Sequence, residues 1–300
     1  MKRTWIADIS LLLVALIWGS TFIIVQAAVQ TLPPLAFNAI RFLGAAALFF
    51  VVMACSPKRL SVRFSKTLIQ DGIKLGIWLF GGYAFQTIGL LYTTTTNTGF
   101  ITGLSVVLVP FLMVLLAKER LQGQTWIAAL LALLGLYLLT FNGKGFHWNL
   151  GDVLVLLCAV CFAMHIALTG RYAKLHDAVA LVTMQFAVVG VLALFSSLLL
   201  EPIMLPAELF AAMLAPKVWF ALLVSIGLST GFGFWAQTWS QQYTSPARVA
   251  IIFAMEPVFA AITGVAFANE KLGQLALWGS MCIFLSMIIA EWKWRPREVH

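Results

Sequence analysis

The sequence predicts an all-α membrane protein with ten transmembrane helices, arranged as two inverted repeats of five helices each. Three observations lead to this fold class. The chain of 300 residues is 62% hydrophobic and only 10% charged, whereas a soluble domain is about 25% charged. It contains ten apolar runs, each of about 20 residues, the length that crosses a bilayer as a helix. Its second half also repeats the first at a constant offset.

The composition excludes a soluble enzyme, because a folded chain of this size has too little interior to hide so much apolar surface. The net charge of +8 does not indicate nucleic-acid binding, since the basic residues are sparse and lie mainly in short segments between apolar runs. We therefore expect the lipid bilayer, and no nucleic acid, as its partner. Cys158 and Cys161 lie within an apolar run and lack the second pair that would complete a metal site, so neither a metal nor a cofactor is expected.

Proline and charge separate the apolar runs from one another. Pro33 and Pro34 end the first run, and a positively charged segment around Pro57 follows the second. Three prolines lie between the seventh run and the eighth. The ten runs cover residues 6–28, 35–54, 71–91, 96–117, 123–141, 151–170, 178–200, 217–239, 246–268 and 272–292.

Lysine and arginine are distributed unequally between the two sides of the membrane that ten spans define. Thirteen of them lie on the side of the N-terminus and three on the opposite side. Basic residues accumulate in cytoplasmic loops. Both termini are therefore expected in the cytoplasm, and the protein in the inner (cytoplasmic) membrane as a multi-pass protein.

The repeat becomes visible when the sequence is shifted by 151 residues. Residues 82–121 then lie over residues 233–272 without a gap. Identical pairs recur at matching positions, among them Gln86 with Gln237 and Tyr92 with Tyr243. Because five spans are an odd number, the second half must begin on the opposite side of the membrane. The predicted domains are residues 1–145 and 146–300, each with five helices.

Several short motifs resemble the EamA repeat of the drug/metabolite transporter superfamily. They are Trp18-Gly19-Ser20, Arg41, Thr244-Ser245-Pro246-Ala247, Met255-Glu256-Pro257-Val258-Phe259-Ala260 and Asn269-Glu270-Lys271-Leu272. The resemblance covers almost the whole chain as two EamA repeats. It implies a ten-helix inner-membrane carrier, often an exporter of amino acids or other small metabolites. It also implies a central cavity lined by the third, fourth, eighth and ninth helices.

The first repeat departs from this family pattern at one position. Val106 lies where the family has a proline, and Pro110 follows four residues later. We therefore expect the kink of the fourth helix to be displaced toward Pro110.

Polar residues within apolar runs are the first candidates for substrate binding or coupling, because they are costly in hydrocarbon. Glu256 lies in the ninth run beside Pro257, which bends the helix and leaves a carbonyl unpaired. A carboxyl there can carry a proton or bind substrate, and the alternative is a structural carboxyl that fixes helix packing. His165 is the only histidine in the middle of a span. It is a candidate proton relay or substrate ligand, or a helix-packing hydrogen-bond partner.

Two arginines lie within spans. Arg248 is two turns before Glu256, about 12 Å along a helix, too far for a direct ion pair. It is a candidate for gating, for substrate coupling or for snorkelling to the membrane surface. Arg41 in the second run matches the arginine of the family, and we expect it to hold helices together. With Pro257 and Trp18, Arg41 is assigned a structural or gating role.

The helices that the resemblance places around the cavity carry further candidates. Gln86 and Gln237 offer both a donor and an acceptor, and aromatic rings there can stack on an apolar or cationic ligand. These aromatic residues can equally face lipid. The remaining candidates for substrate binding are Tyr83, Trp78, Trp235 and Asn97.

These features favour a secondary transporter that exports small metabolites such as amino acids by alternating access. An ATP-driven pump would need a phosphate-binding loop, and an intramembrane protease an HExxH or comparable motif. The sequence contains neither of these motifs, so an enzyme is not expected. Proton coupling through Glu256 and the oligomeric state stay open. The alternative is a channel or facilitative pore for small solutes.

Overall fold

A computed structural model describes residues 2–55, 64–117, 121–140, 149–268 and 273–291. Within these ranges the protein is entirely helical, without a strand. The helices, numbered in chain order, are α1 Lys2–Val29, α2 Pro34–Ala54, α3 Lys66–Gly89, α4 Thr95–Gly103, α5 Ser105–Ala117, α6 Gly123–Thr140, α7 Leu150–Tyr172, α8 Ala178–Leu200, α9 Pro206–Leu214, α10 Pro216–Val224, the π-helical segment Ser225–Phe232, α11 Gly233–Ser240, α12 Pro246–Phe253, α13 Glu256–Ala268 and α14 Gln274–Glu291.

Among the described residues, seven helical stretches are long and apolar enough to cross a membrane. They are Arg3–Val29, Pro34–Ala54, Asn97–Leu115, Leu150–Tyr172, Ala178–Leu200, Pro216–Ser240 and Pro246–Thr263. Two shorter apolar helices, Gly123–Leu139 and Gln274–Ala290, accompany them. Helix α3 has 24 residues but is not among these stretches. The protein is therefore a multi-pass membrane protein, and the count of ten spans stays a prediction.

Side-chain caps begin several of the helices where the sequence supplies a short polar residue. Asn149 accepts a hydrogen bond from the backbone N–H of Asp152, whose carboxylate in turn accepts one from the N–H of Asn149. Asp177 caps α8 without a reciprocal bond, since its carboxylate accepts hydrogen bonds from the N–H groups of Val179 and Ala180. Each cap satisfies backbone donors that a helix start leaves unpaired.

Two spans are interrupted at corresponding positions. One break separates α4 from α5 at Leu104, and the other separates α12 from α13 at residues 254–255. The first residues after the breaks, Ser105 and Glu256, are 151 positions apart, the offset of the sequence repeat. The expectation that the kink shifts toward Pro110 is wrong, since Pro110 lies inside the unbroken helix α5.

The physical reason differs between the two breaks. At the second break, Pro257 has no N–H with which to bond the carbonyl of Phe253, and the helix restarts at Glu256. At the first break no proline is present. There the N–H of Leu104 bonds the carbonyl of Ile101, three residues back, and this tightened turn ends α4 directly after Gly103. Such turns are common at helix C-termini.

The long helices pack in pairs, and α1 contacts several of the shorter helices of the second half. Helix α2 packs along α8, α3 lies against α7 and α8, and α6 lies along α14. Helix α1 contacts α11, α13 and the π-helical segment. Gly135 and Gly279 allow the backbones of α6 and α14 to meet, because a Cβ at either position would press on a backbone oxygen of the other helix. The motif at residues 269–272 lies outside the described residues.

Candidate functional site

A polar cavity lies at the centre of the described helices. Residues of α1, α2, α3, α4, α7, α11, α12 and α13 line it, together with Ser105 and the π-helical segment. The volume of the cavity is about 60 Å³. The conformation is therefore constricted, with room for a few water molecules.

Seven of the predicted site residues line this cavity: Glu256, His165, Gln86, Gln237, Tyr83, Arg41 and Trp18. Five others are absent from its lining: Trp78, Trp235, Asn97, Arg248 and Pro257. The family resemblance implied a cavity lined by four helices. The structure adds residues of α1, α2 and α7 to the lining, so the cavity involves more of the protein than expected.

The cavity lining follows the sequence repeat. Four of its residue pairs are separated by the repeat offset of 151: Tyr83 and Phe234, Gln86 and Gln237, Thr102 and Phe253, and Ser105 and Glu256. Three more are separated by 144, the offset of Asp8 and Asp152: Trp18 and Phe162, Thr21 and His165, and Phe22 and Ile166. Four of the pairs are chemically alike, whereas Thr102 and Phe253, Thr21 and His165, and Ser105 and Glu256 differ. The two halves of the lining therefore correspond in position, but only one of them supplies the glutamate and the histidine.

Arg41 lies in this cavity with only 2% of its surface exposed. Its Nε donates to the hydroxyl of Thr230, and its Nη2 donates to the hydroxyls of Ser229, at 2.9 Å, and Tyr83, at 3.3 Å. The guanidinium carbon also lies 4.6 Å from the centroid of the Tyr83 ring. No carboxylate pairs with Arg41, and its Nη1 makes no hydrogen bond, within the described part of the chain.

The π-helical segment supplies the partners of Arg41. Its wider turn is a feature often found at functional sites, and here it holds Ser229 and Thr230 against the guanidinium. The carbonyl of Ser229 accepts a hydrogen bond of 2.8 Å from the indole of Trp18. Gly233 makes room for that indole, because a Cβ there would lie 2.7 Å from its nitrogen. Trp18 thereby ties α1 to the segment that holds Arg41.

Glu256 is the first residue of α13 and lies at the break after α12. Its carboxylate makes no hydrogen bond or ion pair with any residue in the described ranges. Gly19 of α1 packs directly on the backbone here, since a Cβ at Gly19 would collide with the carbonyl oxygen of Glu256. The Trp18-Gly19 pair thus positions both the guanidinium partners and the glutamate.

His165 and Gln185 form a buried pair beside the cavity. The Nε2 of His165 lies 2.8 Å from the Oε1 of Gln185, and the imidazole packs edge-on against Phe234. Gln185 is 144 residues after Arg41, so the repeat places an amide in one half where the other half has a guanidinium. Sequence reasoning identified His165 but missed Gln185, which the offset of 144 would have indicated.

Two glutamines, Gln86 and Gln237, line the cavity, one from each half of the chain. The amide of Gln237 donates to Gln241 at 3.3 Å, and Gln241 donates to the carbonyl of Ile166 at 2.8 Å. The Oε1 of Gln237 is buried without a partner in the described residues. On the opposite half, Gln86 donates to the hydroxyl of Thr102 at 3.4 Å. Gln237 therefore has an acceptor available for a ligand.

Two of the residues outside the lining take part in contacts at the helix ends. Arg248 forms an ion pair of 2.7 Å with Asp8. Asn97 donates to Asp152 at 3.3 Å, and the hydroxyl of Thr93 donates to the same carboxylate oxygen at 2.6 Å. Asp8 corresponds to Asp152 and Arg248 to Asn97 by the repeat offsets. The two contacts therefore occupy corresponding positions in the two repeats, but the aspartate is paired with a cation in one and with a neutral amide in the other.

The other three residues are packed elsewhere. Trp235 stacks on Trp239 with ring centroids 6.5 Å apart. Pro257 is buried, and a Cβ added at Gly99 would lie 3.8 Å from its Cβ. Trp78 is half-buried on α3. None of the three lines the cavity, so each packs against other helices or faces lipid.

A membrane-embedded helical protein with a central polar cavity is the class that this fold and site define. The profile of the EamA-like transporter family matches residues 5–141 and again residues 149–291. The protein is 37% identical to an uncharacterized transporter of Archaeoglobus fulgidus over 295 residues, covering 97% of this chain and 87% of that protein. It is 24% identical to the uncharacterized transporter YoaV of Bacillus subtilis, covering 95% of this chain and 97% of that one.

A solved crystal structure has the same fold, with a TM-score of 0.76 at 18% identity, over 95% of this chain and 97% of the other. The match of the family profile to both halves of the chain, together with the 37% identity to a transporter over nearly its whole length, shows that the protein belongs to the EamA-like transporter family, in the drug/metabolite transporter superfamily.

Proposed function

We propose that the protein is a secondary transporter that exports small metabolites, amino acids among them, across the inner membrane by alternating access. In this proposal residues 1–145 and 146–300 are two inverted five-helix repeats, and both termini are cytoplasmic. The double match to one family profile supports the two repeats. So does the lining of the cavity, where residues from both halves correspond by the sequence offsets.

The observation that carries the proposal is the presence of Arg41 and Glu256 in the lining of one cavity without an ion pair between them. The guanidinium has Nη1 available for a carboxylate, and the glutamate carboxylate is available for an ammonium group. An amino acid carries both groups. Binding such a zwitterion would compensate two buried charges at once, which is worth more in a cavity than in water.

The remaining wall of the cavity suits an apolar side chain. Trp18, Phe234 and Phe253 lie together, with ring centroids 4.9 to 5.1 Å apart around Trp18. Phe162, which also lines the cavity, packs edge-on against the ring of Tyr83. These rings favour amphipathic or aromatic substrates by stacking and apolar contact. Because the cavity is constricted, substrate binding requires these side chains to move apart.

Alternating access needs contacts that close the two ends of the protein in turn. Asp152 lies at the start of α7, whereas Gln242, six residues before Arg248, bonds Ala173 just beyond the end of α7 at 3.0 Å. The Asp8–Arg248 and Asp152–Asn97 contacts therefore lie at opposite ends of α7. We assign them as the two gates, one an ion pair and the other a hydrogen bond from a neutral amide to a carboxylate.

The proposed proton coupling depends on the carboxyl group of Glu256. Glu256 can bind either a proton or the ammonium group of the substrate, but not both. Competition between the two would link export of the substrate to proton entry. The proposed coupling therefore depends on a single residue, which makes it accessible to substitution.

The experiment that tests the proposal is counterflow in proteoliposomes loaded with each of the standard amino acids in turn. A carrier accelerates uptake of labelled amino acid when unlabelled amino acid is inside, and the uptake saturates. A channel shows neither behaviour. Purified, folded protein that passes ions or solutes without saturation or counterflow would support the channel alternative instead.

A further inference from the structure

A second, larger opening lies away from the central cavity, between the C-terminal parts of α5 and α7 and the turn before α12. We name it the α5–α7 groove. Its volume is about 790 Å³. Leu112, Met164 and Leu168 form its apolar wall, and Arg171, Lys174 and Tyr243 lie at its polar end. It contains no residue of the central cavity.

The polar end of the α5–α7 groove is positively charged. No aspartate or glutamate lines it, and Arg171 and Lys174 make no ion pair within the described ranges. Arg3 adds a third cation, since its Nη1 lies 3.4 Å from the hydroxyl of Tyr243. The nearby acid Asp177 instead caps α8 through two backbone N–H groups. The groove is therefore complementary to an anionic group.

The apolar wall of the groove continues onto the outer surface of the protein. Val153, Leu157 and Val160 are exposed on α7, and the same helical stripe leads to Met164, Leu168 and finally Arg171, with steps of three or four residues. From Met164 to Arg171 the helix rises about 10 Å. An acyl chain can thus lie along the stripe while its headgroup reaches the cations.

We infer that the α5–α7 groove binds an anionic phospholipid, with the phosphate at Arg171 and Lys174 and an acyl chain along Met164 and Leu168. Basic pockets between membrane helices are suited to such headgroups. The lipid would join the end of α7 to the turn that begins α12. Because Arg248 lies in the first turn of α12, the lipid would lie next to the Asp8–Arg248 contact.

Native mass spectrometry of the purified protein in mixed phosphatidylglycerol and phosphatidylethanolamine tests this inference. We expect selective retention of phosphatidylglycerol. Replacing both cations, by Arg171→Gln and Lys174→Gln, should weaken retention roughly 30-fold. The control double variant Lys66→Gln and Lys217→Gln removes the same charge from exposed positions outside the groove, and it should retain the lipid.

Two further arms separate a lipid from a free phosphate ion. Met164→Trp fills the apolar wall and leaves both cations in place, so it should also reduce phosphatidylglycerol retention. Millimolar inorganic phosphate should not displace the lipid. Equal retention of the two lipids, equal losses in the control variant, or displacement by phosphate alone would overturn the inference. Thermal unfolding of each variant in detergent reports that it is folded, whether or not the protein shows counterflow.

Discussion

Arg41 and Glu256 line the same cavity, yet no ion pair joins them. Three hydroxyl groups, those of Ser229, Thr230 and Tyr83, bind the guanidinium instead of a carboxylate. Burying a charge without an opposite charge costs several kcal/mol, and a buried arginine held in this way has donor capacity left for a ligand. Under the proposed function, the carboxylate and the ammonium group of a zwitterion would therefore bind at two separate groups of one cavity.

Substitution of Arg41 should weaken the binding of substrates that carry a carboxylate and leave the binding of substrates without one nearly unchanged. Arg41→Gln removes a charged hydrogen bond, so we expect the apparent affinity for an amino acid to fall about 10- to 100-fold. The affinity for the corresponding amine without a carboxylate should change little. Counterflow competition with both compounds measures the difference. Equal losses for amino acid and amine would contradict a carboxylate contact, and Lys217→Gln on the surface is the control.

Substitution of Glu256 should separate coupling from transport. Glu256→Gln keeps the size of the side chain but cannot exchange a proton. We expect uphill transport driven by a pH gradient to be lost and any remaining exchange to become independent of pH. Glu208→Gln is the matched control, because Glu208 is an exposed carboxylate that caps the start of α9. Unchanged pH dependence in Glu256→Gln would remove the coupling role.

The two aspartate contacts should act in opposite directions. Arg248→Gln breaks the ion pair with Asp8, and Asn97→Ala weakens the contact with Asp152. In a background without Cys55 and Cys282, a cysteine placed at Gln237 should be labelled faster by an impermeant thiol reagent in the first variant, from the Arg248 side. The second variant should favour labelling from the Asp152 side. Identical labelling in both variants would show that the contacts are not gates.

Glycine substitutions test the packing that positions the site. A Cβ at Gly19 meets the backbone carbonyl of Glu256, whereas a Cβ at Gly227 meets nothing within 4 Å. Gly19→Ala should therefore lower the free energy of unfolding by about 1–3 kcal/mol and reduce transport. Gly227→Ala should leave both nearly unchanged. Thermal unfolding in detergent and counterflow measure the two effects, and equal stability of the variants would contradict the close contact.

The membrane helices could be predicted from the sequence because each depends on a local run of apolar residues. Apolar runs of about 20 residues, ended by proline or charge, indicate membrane helices directly. The break at Leu104 could not be predicted from proline, since the tightened turn that ends α4 is not encoded by one residue type. The π-helical segment was also missed, because an extra residue per turn leaves no pattern in an apolar sequence.

The cavity residues divide in the same way. Glu256, His165 and Gln237 could be found because polar residues are rare within apolar runs. Ser105, Phe162 and Phe234 carry no such signal, although the repeat offsets relate them to Glu256, Trp18 and Tyr83. Trp78 and Trp235 were predicted as site residues only because the family resemblance places their helices around the cavity. The side of a helix that faces a cavity depends on packing, which a single sequence does not specify.

The central claim is that one ligand bridges Arg41 and Glu256, and equilibrium binding of matched analogues tests it most directly. The amino acid that gives the strongest counterflow is compared with its methyl ester and with its deaminated acid, using purified protein and competition against the labelled amino acid. Each analogue lacks one charge, so we predict at least about tenfold weaker binding for both. Binding of either analogue as tight as that of the amino acid would contradict the claim.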